Sequence, residues 1–325
     1  MTVSNFLAKR QRVLLGKNER SPDNKTFYAG HAATSSDSPE SIREQIRFAF
    51  NLKNCANFND AFAAAACGAG NEWREINQLN SSSLLAFLCF YGVSKNNEIT
   101  IHNRKYNHVL FEVKSPLPKI KGFKQPISNM DVVLLNHETK DVLFLESKFT
   151  EYMFSSKPEV SAYYSDFYKK LFNPKFNGFS YAETNDGKIK WISEKPRASM
   201  YLEGVKQMYC HYLGILNSSN IGDQPKSAHP YWNKNTISRE MNLRLGTILY
   251  KFDKDVDAKG KYESYEELYA QLISRLKSEC GTSSNISFED SIITYQEIFN
   301  RDKSNQNFKL DQVVREFYCL SGRMI

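Results

Sequence analysis

The chain has 325 residues, 41% of them apolar and 13% aromatic, with a formal net charge of +7 and a pI near 8.9. That supply of apolar side chain fills one large domain or two small ones and excludes a disordered chain. No run of about 18 apolar residues occurs, so no membrane span is expected, and the N-terminus lacks the apolar stretch of a signal peptide, so a cytoplasmic protein is expected.

The modest basicity suits a phosphate-bearing partner without requiring one. Cys55, Cys67, Cys89, Cys210, Cys280 and Cys319 form no C-x-x-C pair, so buried free thiols are expected rather than disulfides or a zinc site. The H-E-x-x-H spacing and the phosphate-cradling G-x-x-x-x-G-K-S/T loop are absent from the sequence.

Residues 1–40 are polar and read as a peripheral arm. Residues 41–53 have helical spacing at Ile42, Ile46 and Phe50, with Ser38 or Ser41 as the cap. An alanine-rich helix over 58–67 ends at Gly68-Ala69-Gly70. A longer helix is expected over 71–91, with Trp73, Ile76, Leu84, Phe87, Leu88 and Tyr91 on its apolar face and Ser81-Ser82-Ser83 inside it. Residues 106–113 read as a strand. A basic loop follows, with Lys114, Lys119, Lys121 and Lys124 among Pro116, Pro118 and Pro126.

Two short runs rich in Val, Leu and Phe come next, 132–135 and 142–145, separated by a polar connector of hairpin length. An antiparallel hairpin with Asn136 opposite Asp141 puts Asp131 opposite Glu146, with Cβ atoms about 5 Å apart. Lys148 shares the face of Glu146 because strand side chains alternate. Two carboxylates this close resist joint ionisation unless a cation lies between them. Hard oxygen ligands favour Mg²⁺ or Mn²⁺, and a neighbouring lysine steadies an attacking water or a developing charge. The competing reading is a set of solvated charges at a fraying strand end.

Residues 150–198 interrupt the pattern with many aromatics and lysines, which fill a satellite core or stack on bases. Residues 199–217 form an amphipathic helix with a polar stripe at Glu203, Gln207 and His211. A strand is expected over 243–252 and helices over 262–280, 288–300 and 310–320. The hairpin is apolar on both faces away from its charged end, so helices should cover the sheet on both sides.

This order of helix, three strands, helix and strand, with Asp131 on the second strand and Glu146-Ser147-Lys148 on the third, resembles the PD-(D/E)xK nuclease superfamily. Within it, the chain is similar to a bacterial restriction-endonuclease-like family. The matching pieces are Gly70-Asn71-Glu72 with Ser81-Ser82-Ser83, Phe111-Glu112-Val113-Lys114, Asn129-Met130-Asp131, the run from Glu146 to Glu151, and Gln207 with His211, Leu213 and Gly214. They cover about residues 68–252. Met130 stands where the broad pattern has proline.

The resemblance implies an α/β fold: a restriction-endonuclease-like core, a mixed sheet flanked by helices, with added terminal helices. It divides the chain into a helical arm (1–67), a nuclease core (68–254, with the insertion at 150–198) and a helical extension packed on the core (255–325). It implies hydrolysis of DNA phosphodiesters with Mg²⁺, or Mn²⁺ in its place. Asp131 and Glu146 would hold the metal with the Ser147 carbonyl, and Lys148 would orient the attacking water. Glu72 would add an acid from the first helix, with Glu75 as the fallback, and Gln207 a polar group from the second. His211, Glu112 and Glu151 would support the site, and Lys114, Lys119, Lys121 and Lys124 would touch the DNA backbone. Cutting both strands would call for a homodimer. A methyltransferase or other defence partner is not visible in this chain. The alternatives are a silent DNA-binding or scaffold protein of the same fold, and a phosphodiesterase acting on RNA or a nucleotide.

Overall fold

The computed structural model describes residues 5–6, 38–50, 52, 58–65, 76, 80–154, 162–164, 179–193, 202–220, 231–280, 285–300, 305 and 308–320. Helix α1 (Pro39–Ala49) starts where Ser38 accepts a hydrogen bond from the Ser41 amide at 3.2 Å, with proline in its first turn. Helix α2 (Phe58–Ala65) follows. Helix α3 (Ser82–Phe90) begins at the serine run instead of containing it, because the Ser81 hydroxyl caps the Leu84 amide. Serine competes for backbone donors and so favours a helix start over its interior. The earlier part of the expected helix, 71–75 and 77–79, lies outside the described residues.

A small hairpin, β1 (Ile99–Ile101) and β2 (Arg104–Tyr106), turns through His102 and Asn103, both at positive φ. Strands β3 (His108–Pro116), β4 (Ile127–Asn136) and β5 (Asp141–Lys148) then form an antiparallel meander. The strand expected over 106–113 is therefore shifted: Tyr106 closes β2, and β3 runs on to Pro116. The 150–198 segment contains a hairpin of β6 (Phe179–Glu183) and β7 (Ile189–Ser193), turned at Gly187 with φ 75°. Helix α4 (Leu202–Asn220) carries the chain across to β8 (Asn242–Leu249), which pairs parallel to β5.

Helix α5 (Lys261–Cys280) matches its expected span. The helix expected over 288–300 does not form as such. Strands β9 (Ile286–Phe288) and β10 (Ile293–Thr294) both pair parallel to β8, and only α6 (Tyr295–Phe299) is helical there. Partnering by β8 overrides the local helical pattern. Helix α7 (Gln312–Phe317) is the last element. The main sheet has the order β10-β8-β5-β4-β3, with β9 also on β8.

Helices cover both faces. Phe111 of β3 meets Phe87 of α3 at 5.9 Å on one side. On the other, Gly214 of α4 approaches so closely that a Cβ there would lie 2.8 Å from the Ser115 carbonyl, so only glycine permits the contact. Phe144 of β5 stacks on Trp232 on this second side at 5.7 Å.

The side-chain alternation of β3 and β4 breaks near the carboxylate end. Phe111 and Ser115 are four residues apart and should share a face. Phe111 meets α3, yet Ser115 accepts a hydrogen bond from Trp232 on the α4 side. Glu112 lies between them at φ 50°, a left-handed conformation that a glutamate seldom adopts. Ser128, the partner of Ser115, turns to α4 with it, while Val132 stays paired with Phe111. Both strands thus roll over at the level of Glu112 and Asp131.

Cys89 and Cys210 are buried and Cys319 is half-buried, and none of the three is in a disulfide. Among the described residues no helix is long and apolar enough to cross a membrane.

Candidate active site

The β4–β5 ladder pairs Asn136 with Asp141 and continues to Val132 with Leu145, the expected register. One step further the backbone ladder stops. The Asp131 carboxylate takes over and accepts a hydrogen bond from the Ser147 amide at 2.7 Å. A buried amide needs an acceptor, so the strand end that holds Asp131 also fixes where its carboxylate points. On its other side β5 stays paired with β8 as far as Lys148 and Leu249.

Glu146 and Lys148 are almost fully buried, at 2% and 3% exposure, and Asp131 is half-buried. The Lys148 ammonium donates to Glu146 Oε1 at 2.6 Å. The other oxygen, Oε2, is 2.7 Å from His211 Nε2 on α4. A carboxylate can only accept, so Nε2 carries a proton; in the neutral ring Nδ1 then accepts from the Ser128 hydroxyl, its partner on β4. Ser128, His211, Glu146 and Lys148 form one buried chain.

The charges are shared unequally. Burial pushes Glu146 up, but Lys148 and His211 outweigh it and hold the carboxyl down at about 2. Asp131 is pushed well above the usual carboxylate range, by burial first and the neighbouring Glu146 charge second, against Lys148 and the Ser147 amide. The Lys148 ammonium donates to Glu146, and its charge lowers Asp131 by less than burial and Glu146 raise it. Tyr265 of α5 borders the same field: burial raises it, Lys148 lowers it and Glu146 raises it.

The remaining expected residues fall in different places. Gln207 lies one turn before His211 on α4, and its Oε1 is buried with no partner among the described residues. His211, expected only as a supporting residue, is in direct contact with Glu146. Glu112 is buried opposite Asp131, at the point where the strands roll over. Glu151 accepts from the Phe149 amide at 2.7 Å, which shapes the turn after β5, and its charge adds to the rise of Asp131. Glu72 and Glu75 lie outside the described residues. Lys114 is half-buried on β3 opposite Asn129. Lys119, Lys121 and Lys124 are exposed on the β3–β4 loop and form no ion pair among the described residues. Both strands run four residues beyond the Asp131 level, which carries this loop about 13 Å past the carboxylates at the same end of the sheet.

Sequence reasoning missed Ser128, whose role appears only when α4 packs on β4. It also missed Asn129, whose buried Oδ1 has no partner among the described residues.

Among the described residues no three His, Cys, Asp or Glu side chains are grouped to hold a metal ion. A magnesium ion needs fewer, since it is commonly held by one or two carboxylates and keeps several waters. The donor chemistry here fits that demand. Among the described residues each oxygen of Glu146 takes one donor and has two lone pairs, and Lys148 only partly offsets the rise of Asp131. The unpartnered Gln207 Oε1 is a further hard acceptor.

A family model described as Restriction Endonuclease associating with ARP matches residues 40–280. No curated protein and no solved structure matches the chain.

Proposed function

The chain belongs to the family of restriction endonucleases associating with ARP, and from that premise we propose that it is a Mg²⁺-dependent endonuclease hydrolysing DNA phosphodiester bonds in a restriction or defence role. The observation that carries the proposal is the pair of adjacent carboxylates at one strand end, with Glu146 bonded by Lys148 and His211 and Asp131 aimed by the Ser147 amide, where Asp131 is held above the usual carboxylate range. A divalent cation is the missing charge.

In this reading Asp131, Glu146 and the Ser147 carbonyl hold the metal. The chemistry a bound Mg²⁺ supplies is a more acidic water and charge neutralisation at the phosphoryl oxygens. Lys148 directs its ammonium at the attacking water and the charge that develops on the phosphoryl oxygens. His211 keeps Glu146 oriented through its bond to Oε2. Gln207, one turn away, offers its buried carbonyl to a water or substrate donor. The exposed lysines of the β3–β4 loop grip backbone phosphates beyond the cut.

The test is incubation of supercoiled plasmid, linear duplex DNA and RNA with Mg²⁺, Mn²⁺ or EDTA. Metal-dependent cutting of DNA, lost in Asp131→Ala, is the expected result. DNA binding without cutting would favour a scaffold, and cutting of RNA alone would reassign the substrate.

A further inference from the structure

Asp131 is aimed by the Ser147 amide, so whatever fixes Ser147 also fixes the carboxylate. On the α3 side of β5, the Ser147 hydroxyl lies 3.2 Å from the Ser82 carbonyl and 2.7 Å from the Tyr295 hydroxyl. A serine has one proton to give. The Ser82 carbonyl can only accept it, so Tyr295 is the donor to Ser147. Tyr295 is fully buried, and burial raises its phenol well above the usual range, so the donor proton is retained.

The position of Tyr295 is set by the sheet. Ile248 of β8 pairs with Ser147 on one side and Ile293 of β10 on the other; Leu249 likewise pairs with Lys148 and Thr294. Tyr295 is the next residue, held at the start of α6 by the Thr294 cap on the Glu297 amide at 3.1 Å. Its ring packs on Phe90 and Phe299. It lies beyond residue 280, outside the segment matched by the family model.

We infer that Tyr295 is a positioning residue for the metal-binding carboxylate, acting through Ser147 on Asp131. The C-terminal extension thereby becomes part of the site. The inference rests on the proposed metal-dependent nuclease. Tyr295→Phe keeps the ring and removes only the donor. Loss of one neutral hydrogen bond is worth about a five-fold change in an equilibrium.

The experiment is a Mn²⁺ titration followed by the electron paramagnetic resonance of the free ion, with DNA cleavage and thermal melting on the same samples. Tyr295→Phe is expected to raise the half-saturating Mn²⁺ concentration about five-fold, while the cleavage rate at saturating metal stays within about two-fold of wild type. Ser147→Ala should give a similar shift, and the double variant no more than either alone. Tyr318→Phe is the control: it removes a buried hydroxyl that has no partner among the described residues, and should shift nothing. Should Tyr295→Phe fail to fold, Ser147→Ala carries the same test. An unchanged midpoint in the folded variants, or an equal shift in Tyr318→Phe, overturns the inference alone. A wild type that neither binds Mn²⁺ nor cuts overturns the nuclease reading as well.

Discussion

Asp131→Asn should stabilise the protein without metal while abolishing cleavage. Asparagine keeps an oxygen for the Ser147 amide and removes a charge that burial and Glu146 both oppose. Two unit charges at cross-strand spacing of about 5 Å repel by about 3 kcal/mol at an effective dielectric constant of about 20. Lost attraction to Lys148 and a weaker bond from Ser147 offset part of this, leaving a gain of about 1–2 kcal/mol. The folded pKa of Asp131 lies above its ordinary 3.8. Its contribution to stability is therefore present below about pH 4 and lost as pH rises through the folded value. The advantage of the asparagine variant should be smallest near pH 4 and reach its full size at alkaline pH. The assay is urea unfolding in EDTA across that range, repeated with Mg²⁺, which should stabilise wild type alone. An asparagine variant less stable than wild type at pH 8 in EDTA would refute the reasoning.

Glu146 has the opposite sign. Its folded pKa is depressed from 4.5 to about 2, so it stabilises above pH 4.5, and that part is lost as pH falls towards 2; acid titration of Glu146→Gln should lack this loss. His211→Ala removes a donor to a buried carboxylate and should cost about 1.5–3 kcal/mol in urea unfolding, with cleavage reduced; His211→Gln, whose amide still donates, should recover part of both. Replacing Lys119, Lys121 and Lys124 together by glutamine should leave melting unchanged and lower the slope of log affinity against log salt by about 3 for duplex DNA, read by fluorescence anisotropy.

The hairpin was legible because its information is local. The apolar runs 132–135 and 142–145 flank a short polar connector, and a single register follows from its length. That register placed Asp131 beside Glu146 before any tertiary contact was known. The α4 stripe was equally readable, since Gln207 and His211 repeat at helical spacing. What the pattern does not encode is which of them reaches the carboxylate, and packing of α4 on β4 answers that by Ser128 and Gly214. The C-terminal strands were hidden for a related reason. Residues 286–288 and 293–294 are too short to declare themselves, and they are strands because β8 has an open edge for them. The left-handed backbone at Glu112 has no signature in composition, because glutamate is not a residue that favours it.

If the Asp131–Glu146–Lys148 end of the sheet carries out the proposed hydrolysis, the Lys148 ammonium is the group whose removal should cost the cleavage step alone, and Lys148→Ala removes it. The measurement is single-turnover cleavage of a labelled DNA duplex at saturating Mg²⁺, with duplex affinity measured alongside. A loss of about 10²-fold or more in the cleavage rate is expected, the scale for removing a group that stabilises developing charge, with affinity nearly unchanged. Cleavage by Lys148→Ala at the wild-type rate would contradict it.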